Sequence, residues 1–384
     1  MHIKDHKRAH LYRRICVLLF LMMSLGLSCP APASTPADEK TAVVFVYQRV
    51  GEDNVPQSSL SLEQFQEHIR ELSTNGYSVL PLNDIIDALK NPDKKLPPKT
   101  VALTFDGAYA ATLNNVIPLL EDARFPFTIF FSSDMADGGT SGHMTWKDIK
   151  SLKKNKLVTL GLLPSSYARM VNKNADENTS LINKAVARFR ENMGADATFL
   201  AYPYGEYSKA LKKQLEPYKF KAVFGQQSGV LSPSSDFMAL PRFTMTNEFG
   251  DLDRFLLTAN ALPLNTSDVV PDDAVIADNP PLIGFTLDTA YTDVSKLSCF
   301  ASGIGKVELT HLENNRVEIR LPSALSDRHT RINCTMPDDV VTPGEPRRWR
   351  WFGMLLILPD AADDDENTID NGNAADTSEN PESQ

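Results

Sequence analysis

The chain has 384 residues, of which 42% are hydrophobic, and its net charge is −10 at neutral pH. This length is enough for two domains, and the sequence lacks the basic stripe that nucleic-acid binding requires. The charge is uneven, because residues 1–33 carry five basic residues and one acid, whereas residues 359–384 carry nine acids and no Lys or Arg.

Residues 1–33 have the pattern of a secretory signal peptide. A basic segment precedes 13 apolar residues, Ile15 to Leu27, and Ala31-Pro32-Ala33 offers a small-residue cleavage site. An apolar core this short is below the ~20 residues that span a bilayer, so a secreted or periplasmic protein is expected. A poor lipobox precedes Cys29, and a membrane-anchored lipoprotein is the alternative.

Residues 41–262 alternate short apolar runs with helical patterns. Helices are predicted after the capping boxes Ser61/Gln64 and Thr145/Asp148, after Asn83, and over residues 181–192. Strands are predicted at 42–47, 77–80, 101–105, 127–131, 157–160, 199–202 and 221–224. Continuous apolar strands between helices indicate a parallel sheet covered on both faces. The number of repeats favours an irregular closed barrel over an open sheet.

The character of the sequence changes after residue 262. Residues 263–282 are rich in Pro, Asp, Asn and Ser and are predicted to be a linker. Alternating apolar runs then predict a small antiparallel β-sandwich over residues 283–358. Cys299 and Cys334 are the only cysteines after residue 33. In an oxidising compartment they are expected to form a disulfide. The acidic residues 359–384 are predicted to be a disordered tail.

The segment Thr104-Phe105-Asp106-Gly107-Ala108-Tyr109 ends a predicted buried strand, and strand ends carry the chemistry of α/β folds. It resembles the first motif of the polysaccharide deacetylase (NodB-homology) family, Thr-Phe-Asp-Asp-Gly-Tyr. Similar segments follow in the family's order at residues 46–51, 125–130, 144–146, 201–205 and 240–243. The resemblance implies an irregular (β/α) barrel and an exported protein that hydrolyses the acetamide C–N bond of an N-acetylated polysaccharide in the cell envelope.

The resemblance also implies a divalent metal, zinc, held by one Asp and two His, with a second Asp as the base. Asp106 matches the base, and Arg242 matches the residue that orients it. The three ligand positions fall on Gly107, Leu163 and Tyr167. We therefore expect the metal site to be degraded. Of the four His after residue 33, only His143 is expected near the mouth of the barrel.

The remaining candidate residues have two readings each. Asp106 is either a retained base or a structural partner of Arg242. By the same resemblance a substrate groove would be lined by Tyr109, Trp146, Pro203, Tyr204 and Gly205. For Trp146 and Tyr204 the alternative is packing at the barrel rim. Trp349 and Trp351 fall on one face of the last strand, where they form either a carbohydrate platform or part of the core.

Two functions from different classes follow from these residues. One is a hydrolase with an unusual or metal-free site that depends on Asp106, with Glu206 or His143. The other is a catalytically inactive protein that binds a glycan or serves as an envelope scaffold.

Overall fold

The computed structural model describes residues 40–359, except residues 53, 292 and 342–343. The predicted signal peptide, the candidate lipid anchor at Cys29 and residues 360–384 of the predicted tail lie outside the described residues. In the described part of the chain, no helix is long and apolar enough to cross a lipid bilayer.

Strands and helices alternate up to residue 259. The strands are β1 (Val43–Tyr47), β2 (Arg49–Val50), β3 (Ser59–Leu60), β4 (Ser78–Val79), β5 (Thr100–Asp106), β6 (Phe127–Phe131), β7 (Val158–Leu162), β8 (Phe199–Ala201), β9 (Ala222–Phe224) and β10 (Phe243–Thr244). The helices are α1 (Leu62–Thr74), α2 (Leu82–Lys90), α3 (Ile117–Ala123), α4 (Ser133–Gly138), α5 (Trp146–Leu152), α6 (Ala175–Met193), α7 (Lys209–Leu215) and α8 (Leu252–Ala259).

Both predicted capping boxes are confirmed, at the starts of α1 and α5. The expected cap at Asn83 is wrong: α2 begins one residue earlier, at Leu82, with Pro81 as its N-cap residue. Proline is compatible with this position because it has no N–H that the helix would need.

The main sheet is parallel throughout, in the order β10-β1-β5-β6-β7-β8-β9, with β4 beside β5. Isolated bridges from Phe224 to Leu240 and from Ala42 to Leu231 connect the segments at its two ends. The sheet is therefore a half-barrel that loops complete, and the predicted irregular (β/α) barrel is confirmed.

Both faces of this sheet are buried, which explains why its strands are continuously apolar. In β1, Phe45 and Tyr47 belong to one apolar cluster with the helices, while Val44 belongs to a second cluster with Phe130 and Leu163. Because side chains alternate along a strand, Thr104 and Asp106 share the face of β5 on which Ala102 lies.

The rest of the chain forms two further sheets. Its strands are β11 (Leu262–Pro263), β12 (Thr266–Val270), β13 (Ile283–Leu287), β14 (Ser298–Ala301), β15 (Gly305–Lys306), β16 (Glu308–His311), β17 (Arg316–Arg320), β18 (His329–Pro337) and β19 (Trp349–Ile357). One sheet has the order β11-β19-β18-β14-β15 and the other has the order β12-β13-β17-β16. They share one apolar core, as the predicted sandwich requires.

The prediction of a linker over residues 263–282 is wrong in part, because β12 lies in this range and pairs with β13. The polar residues of β12 misled the prediction, since an edge strand with both sides exposed lacks an apolar pattern. The predicted disulfide is confirmed: Cys299 and Cys334 face each other in β14 and β18, and their Cα atoms are 4.0 Å apart.

The sandwich packs directly on the half-barrel. Trp351 is buried, and its ring meets the ring of Phe243 at a centroid distance of 5.1 Å. A side chain at Gly353 would overlap the backbone of Ser228, so glycine permits the close approach of β19. The prediction that Trp351 packs in the core is therefore confirmed, and Trp351 is not part of a carbohydrate platform.

Candidate functional site

A buried ion pair lies at the carboxyl end of β5. The Nη1 and Nη2 atoms of Arg242 donate to the two carboxylate oxygens of Asp106, each at 2.7 Å. Both side chains are shielded from solvent, with 1% exposure for Asp106 and 0% for Arg242. Arg242 also donates to the Gly225 carbonyl at 2.9 Å and to the Thr104 hydroxyl at 3.1 Å. The forked geometry fixes the Asp106 carboxylate in one orientation.

Gln226, which follows the carboxyl end of β9, covers this ion pair. Its side-chain amide donates to Asp106 Oδ2 at 3.5 Å. Gln226 approaches so closely that a Cβ atom at Gly205, whose φ is +73°, would overlap it. The neighbouring Tyr204 also has a positive φ, of 58°. The turn formed by Pro203, Tyr204 and Gly205 therefore leaves the space that Gln226 occupies.

The space beside Gly107 is filled by a neighbouring ring. Gly107 has a φ of +109°, a conformation that favours glycine, and a Cβ atom built there would overlap the ring of Tyr109. The Tyr109 ring is held between the guanidinium of Arg49, 3.9 Å from its centroid, and the imidazole of His143, at a centroid distance of 4.7 Å. Burial raises the pKa of Tyr109 and lowers the pKa of His143.

Leu163 and Tyr167 occupy the other two positions at which the resemblance expects metal ligands. Leu163 is fully buried in the apolar cluster with Phe130. The Tyr167 hydroxyl accepts hydrogen bonds from the backbone N–H of Tyr204 at 3.3 Å and from the side chain of Gln48 at 3.5 Å. Burial, and then the charge of Asp106, raise the pKa of Tyr167, so its phenol stays neutral.

These residues do not fit zinc. A zinc site needs several Cys, His or carboxylate ligands, and here the three positions offer no side chain, an alkyl group and a neutral phenol. No other group of three or more His, Cys, Asp or Glu residues is arranged to hold a metal within the described residues.

We expect Gly107→Asp to destabilise the protein rather than restore a ligand. An Asp at this φ is strained and its Cβ would displace the Tyr109 ring, for a combined loss of about 2–3 kcal/mol in the free energy of unfolding. Gly139→Asp is the matched control, since Gly139 has a φ of +56° but no atom within 4 Å of an added Cβ. Urea unfolding of both variants tests this expectation, and equal losses would contradict it.

A cleft of about 620 Å³ opens above Gln226, between the mouth of the half-barrel and the sandwich. On the barrel side it is lined by Gln48, Gln57, Arg169, Tyr204, Gln226, Ser228, Thr244, Thr246, Glu248, Phe249 and Arg254, and on the sandwich side by Phe300, Ala301, Ser302, Gly303, His329, Arg331 and Asn333. We name this space the interdomain cleft. Its volume lies in the range of about 300–1,000 Å³ that is typical of ligand sites.

The sandwich wall of the interdomain cleft comes mainly from one face of β18. His329, Arg331 and Asn333 alternate with Thr330, Ile332 and Cys334, which are buried. The outer face of this sheet, which the alternating pattern alone would assign to solvent, thus faces the barrel.

His329 corrects the expectation that only His143 lies near the barrel mouth. Its Nε2 contacts Glu206 Oε1, which Arg169 also contacts, and Arg328 Nε lies 3.4 Å from the same oxygen. Burial acts to raise the pKa of Glu206, but the hydrogen bond to His329 and the charge of Arg169 keep it below its ordinary value. No sequence signal linked Glu206 to a residue 123 positions away.

Among the five predicted substrate-binding residues, Tyr204 lines the interdomain cleft, where the Arg169 guanidinium lies 4.2 Å from its ring centroid. Pro203 and Gly205 are buried in the same turn. Tyr109 packs between Arg49 and His143. Trp146 packs edge-on against Phe131, and its indole N–H donates to Asp137 at 2.7 Å. The roles of these residues in binding remain predictions.

The chain is similar to known polysaccharide deacetylases. Residues 93–223 match the family model described as polysaccharide deacetylase. A poly-beta-1,6-N-acetyl-D-glucosamine N-deacetylase of Escherichia coli is 22% identical over 259 residues, which cover 56% of this chain and 38% of that protein. The chain thus aligns with well under half the length of this relative.

Two solved structures share the fold. The deacetylase PplD of Streptococcus pyogenes, solved in complex with acetate, has a TM-score of 0.53 and 16% identity, and it covers 58% of this chain and 99% of its own. IcaB from Ammonifex degensii has a TM-score of 0.52 and 21% identity, with 58% and 98% coverage. The match to residues 93–223 identifies a polysaccharide deacetylase domain in this part of the chain, and the two solved structures share its fold.

Proposed function

We propose that this chain is an exported protein that binds an N-acetylated polysaccharide and does not hydrolyse it by metal catalysis. One observation carries the proposal: the three positions that would hold the metal are Gly107, closed off by the Tyr109 ring, the buried Leu163 and the hydrogen-bonded Tyr167. Without a Lewis acid the acetamide carbonyl would not be polarised and the attacking water would not be activated.

The interdomain cleft supports binding. It lies at the carboxyl ends of the parallel strands, where α/β folds place their ligands. Tyr204, Phe249 and Phe300 offer aromatic surface, and Phe249 and Phe300 are exposed by 44% and 46%. Gln48, Gln226 and Asn333 offer amide donors and acceptors. Apolar faces combined with a few placed polar groups are the chemistry that a sugar ring requires.

The carboxylates near the cleft are poorly placed for proton transfer. Both oxygens of Asp106 accept hydrogen bonds from Arg242. Glu206 is fully buried and shares Oε1 among Arg169, Arg328 and His329. These contacts favour the binding protein over the metal-free hydrolase.

Export is part of the proposal and has two supports. The first is the pattern of residues 1–33, and the second is the disulfide between Cys299 and Cys334, which is typical of oxidising compartments. Cleavage of the N-terminal segment can be checked by N-terminal sequencing of the protein recovered from its native cell.

The test measures hydrolysis and binding on the same ligand. The purified protein is incubated with an N-acetylglucosamine hexamer in the presence of zinc, cobalt or nickel, and released acetate is quantified. In parallel, calorimetry measures the affinity for the hexamer. We expect binding without acetate release, and we expect no stoichiometric metal binding in titrations.

Tyr204→Ala should weaken hexamer binding about 10-fold, because removal of an aromatic contact costs about 1 kcal/mol. Tyr218→Ala is the matched control, since Tyr218 is not among the residues that line the cleft. Acetate release that depends on an added metal would refute the proposal in favour of a hydrolase. Absence of binding would refute it in favour of a scaffold.

A further inference from the structure

Arg331 presents an unpaired positive charge to the interdomain cleft. It is the third residue of β18, and its side chain lies on the same face as those of His329 and Asn333. Its backbone N–H donates to the Ser302 hydroxyl at 2.9 Å. Within the part of the chain that the structure describes, its guanidinium has no hydrogen bond or ion pair.

The environment of Arg331 makes this charge unfavourable in the absence of a partner. Burial lowers the pKa of Arg331, and no acidic group acts in the opposite direction. Arg331 is half-buried, and partial removal of a guanidinium from water without a counter-ion costs free energy. A partner supplied by a ligand would offset this cost.

Arg254 adds a second, partly engaged cation to the same cleft. Its Nε donates to the Phe249 carbonyl at 3.1 Å, and burial lowers its pKa more than the charge of Asp251 raises it. The terminal nitrogens of Arg254 make no ion pair within the described residues.

The charges that line the cleft are mainly positive, although the chain as a whole is acidic. Arg169, Arg254 and Arg331 are the arginines of the lining, and the exposed Glu248 is its acid. Arg169 is neutralised by Glu206, which lies beneath the wall. Among the lining residues, the guanidinium groups of Arg254 and Arg331 therefore exceed the acid Glu248 by one charge, in a chain whose net charge is −10.

We propose that the interdomain cleft binds an acidic saccharide, with a carboxylate of the sugar paired to Arg331. This inference rests on the proposed glycan binding and adds the class of glycan. The planar fork of an arginine matches a carboxylate through two parallel hydrogen bonds. Tyr204, Phe249 and Phe300 would contact the apolar faces of the sugar rings, while Arg254 contributes to the positive field.

The test compares one oligosaccharide with and without its charges. A hyaluronan hexasaccharide carries both N-acetyl groups and carboxylates, and reduction of its carboxylates gives a neutral form of the same length. By calorimetry at low salt, we expect the charged form to bind about 10- to 100-fold more tightly, as a charge-assisted pair predicts. The preference should fall as the salt concentration rises.

Arg331→Met should remove this preference, so that the charged and neutral forms bind the variant with equal affinity. Its thermal unfolding temperature should equal or exceed that of the unchanged protein, because the substitution removes a shielded charge that lacks a counter-ion. Arg320→Met is the control, since Arg320 is an exposed residue at the end of β17 in the same sandwich and its Nε donates to the Thr310 hydroxyl at 3.1 Å. It should keep the preference intact.

The outcomes separate the two proposals. Equal affinity for the charged and neutral hexasaccharides, or a preference that survives Arg331→Met, overturns the acidic class and leaves glycan binding standing. Absence of binding to both hexasaccharides overturns the acidic class, and glycan binding as a whole is overturned only if the N-acetylglucosamine hexamer also fails to bind. Inorganic phosphate that binds with the same dependence on Arg331, while the hexasaccharides do not bind, would identify a site for small anions and overturn the acidic class.

Discussion

Arg242→Met should lower the free energy of unfolding by about 3–5 kcal/mol, the cost of leaving one member of a buried ion pair without its partner. The substitution removes both hydrogen bonds to Asp106, the bond to Thr104 and the bond to the Gly225 carbonyl. Domains have a total stability of about 5–15 kcal/mol, so this loss should be obvious in urea unfolding.

The double variant Asp106→Leu/Arg242→Met shows how much of the stability loss comes from leaving one buried charge without its partner. Because it removes both charges together, it should lose much less stability than the sum of the two single variants. Lys221→Met is the matched control at the surface pair with Asp87, where a salt bridge of 2.9 Å is exposed to solvent. This control should lose no more than about 1 kcal/mol. An Arg242→Met variant as stable as the control would show that the pair is not a structural anchor.

The pair also explains why Asp106 permits two readings. Arg242 would hold Asp106 in the same way whether Asp106 is a base that needs orientation or a structural carboxylate. Stability measurements therefore do not distinguish them, and the assays of acetate release and glycan binding decide between the two roles.

Removal of the disulfide should destabilise the sandwich by about 3–4 kcal/mol, which is the loop-closure effect of a cross-link between residues 35 positions apart. The variant Cys299→Ala/Cys334→Ala should unfold at a lower temperature than the unchanged protein under non-reducing conditions. Reduction with dithiothreitol should lower the unfolding temperature of the unchanged protein to a similar value and leave that of the variant in place. An unchanged protein that is insensitive to the reductant would show that the cysteines are not paired.

The same disulfide supports the wall of the interdomain cleft. Phe300 and Asn333, which line the cleft, are paired in β14 and β18 directly beside Cys299 and Cys334. We therefore expect reduction to weaken glycan binding before the half-barrel unfolds. Parallel measurements of affinity and of unfolding against reductant concentration would show this order.

The sequence alone predicted the parallel sheet covered by helices, the sandwich and the disulfide. Apolar runs bounded by capping residues specify strands and helices locally, and Cys299 and Cys334, the only cysteines after residue 33, leave one pairing in that part of the chain. It also placed Asp106 and Arg242 in one site and put Gly107, Leu163 and Tyr167 at the positions of the expected ligands.

Only the tertiary structure decided what surrounds those residues. The Tyr109 ring beside Gly107, the contact of His329 with Glu206, and the position of Arg331 all depend on how separate segments pack. Glu206 and His329 are 123 positions apart, and no periodicity relates them. The alternating pattern of β18 assigns one of its faces to the sandwich core, but it cannot say that the other face meets the barrel mouth, because a partly polar face is equally suited to solvent and to a polar cleft.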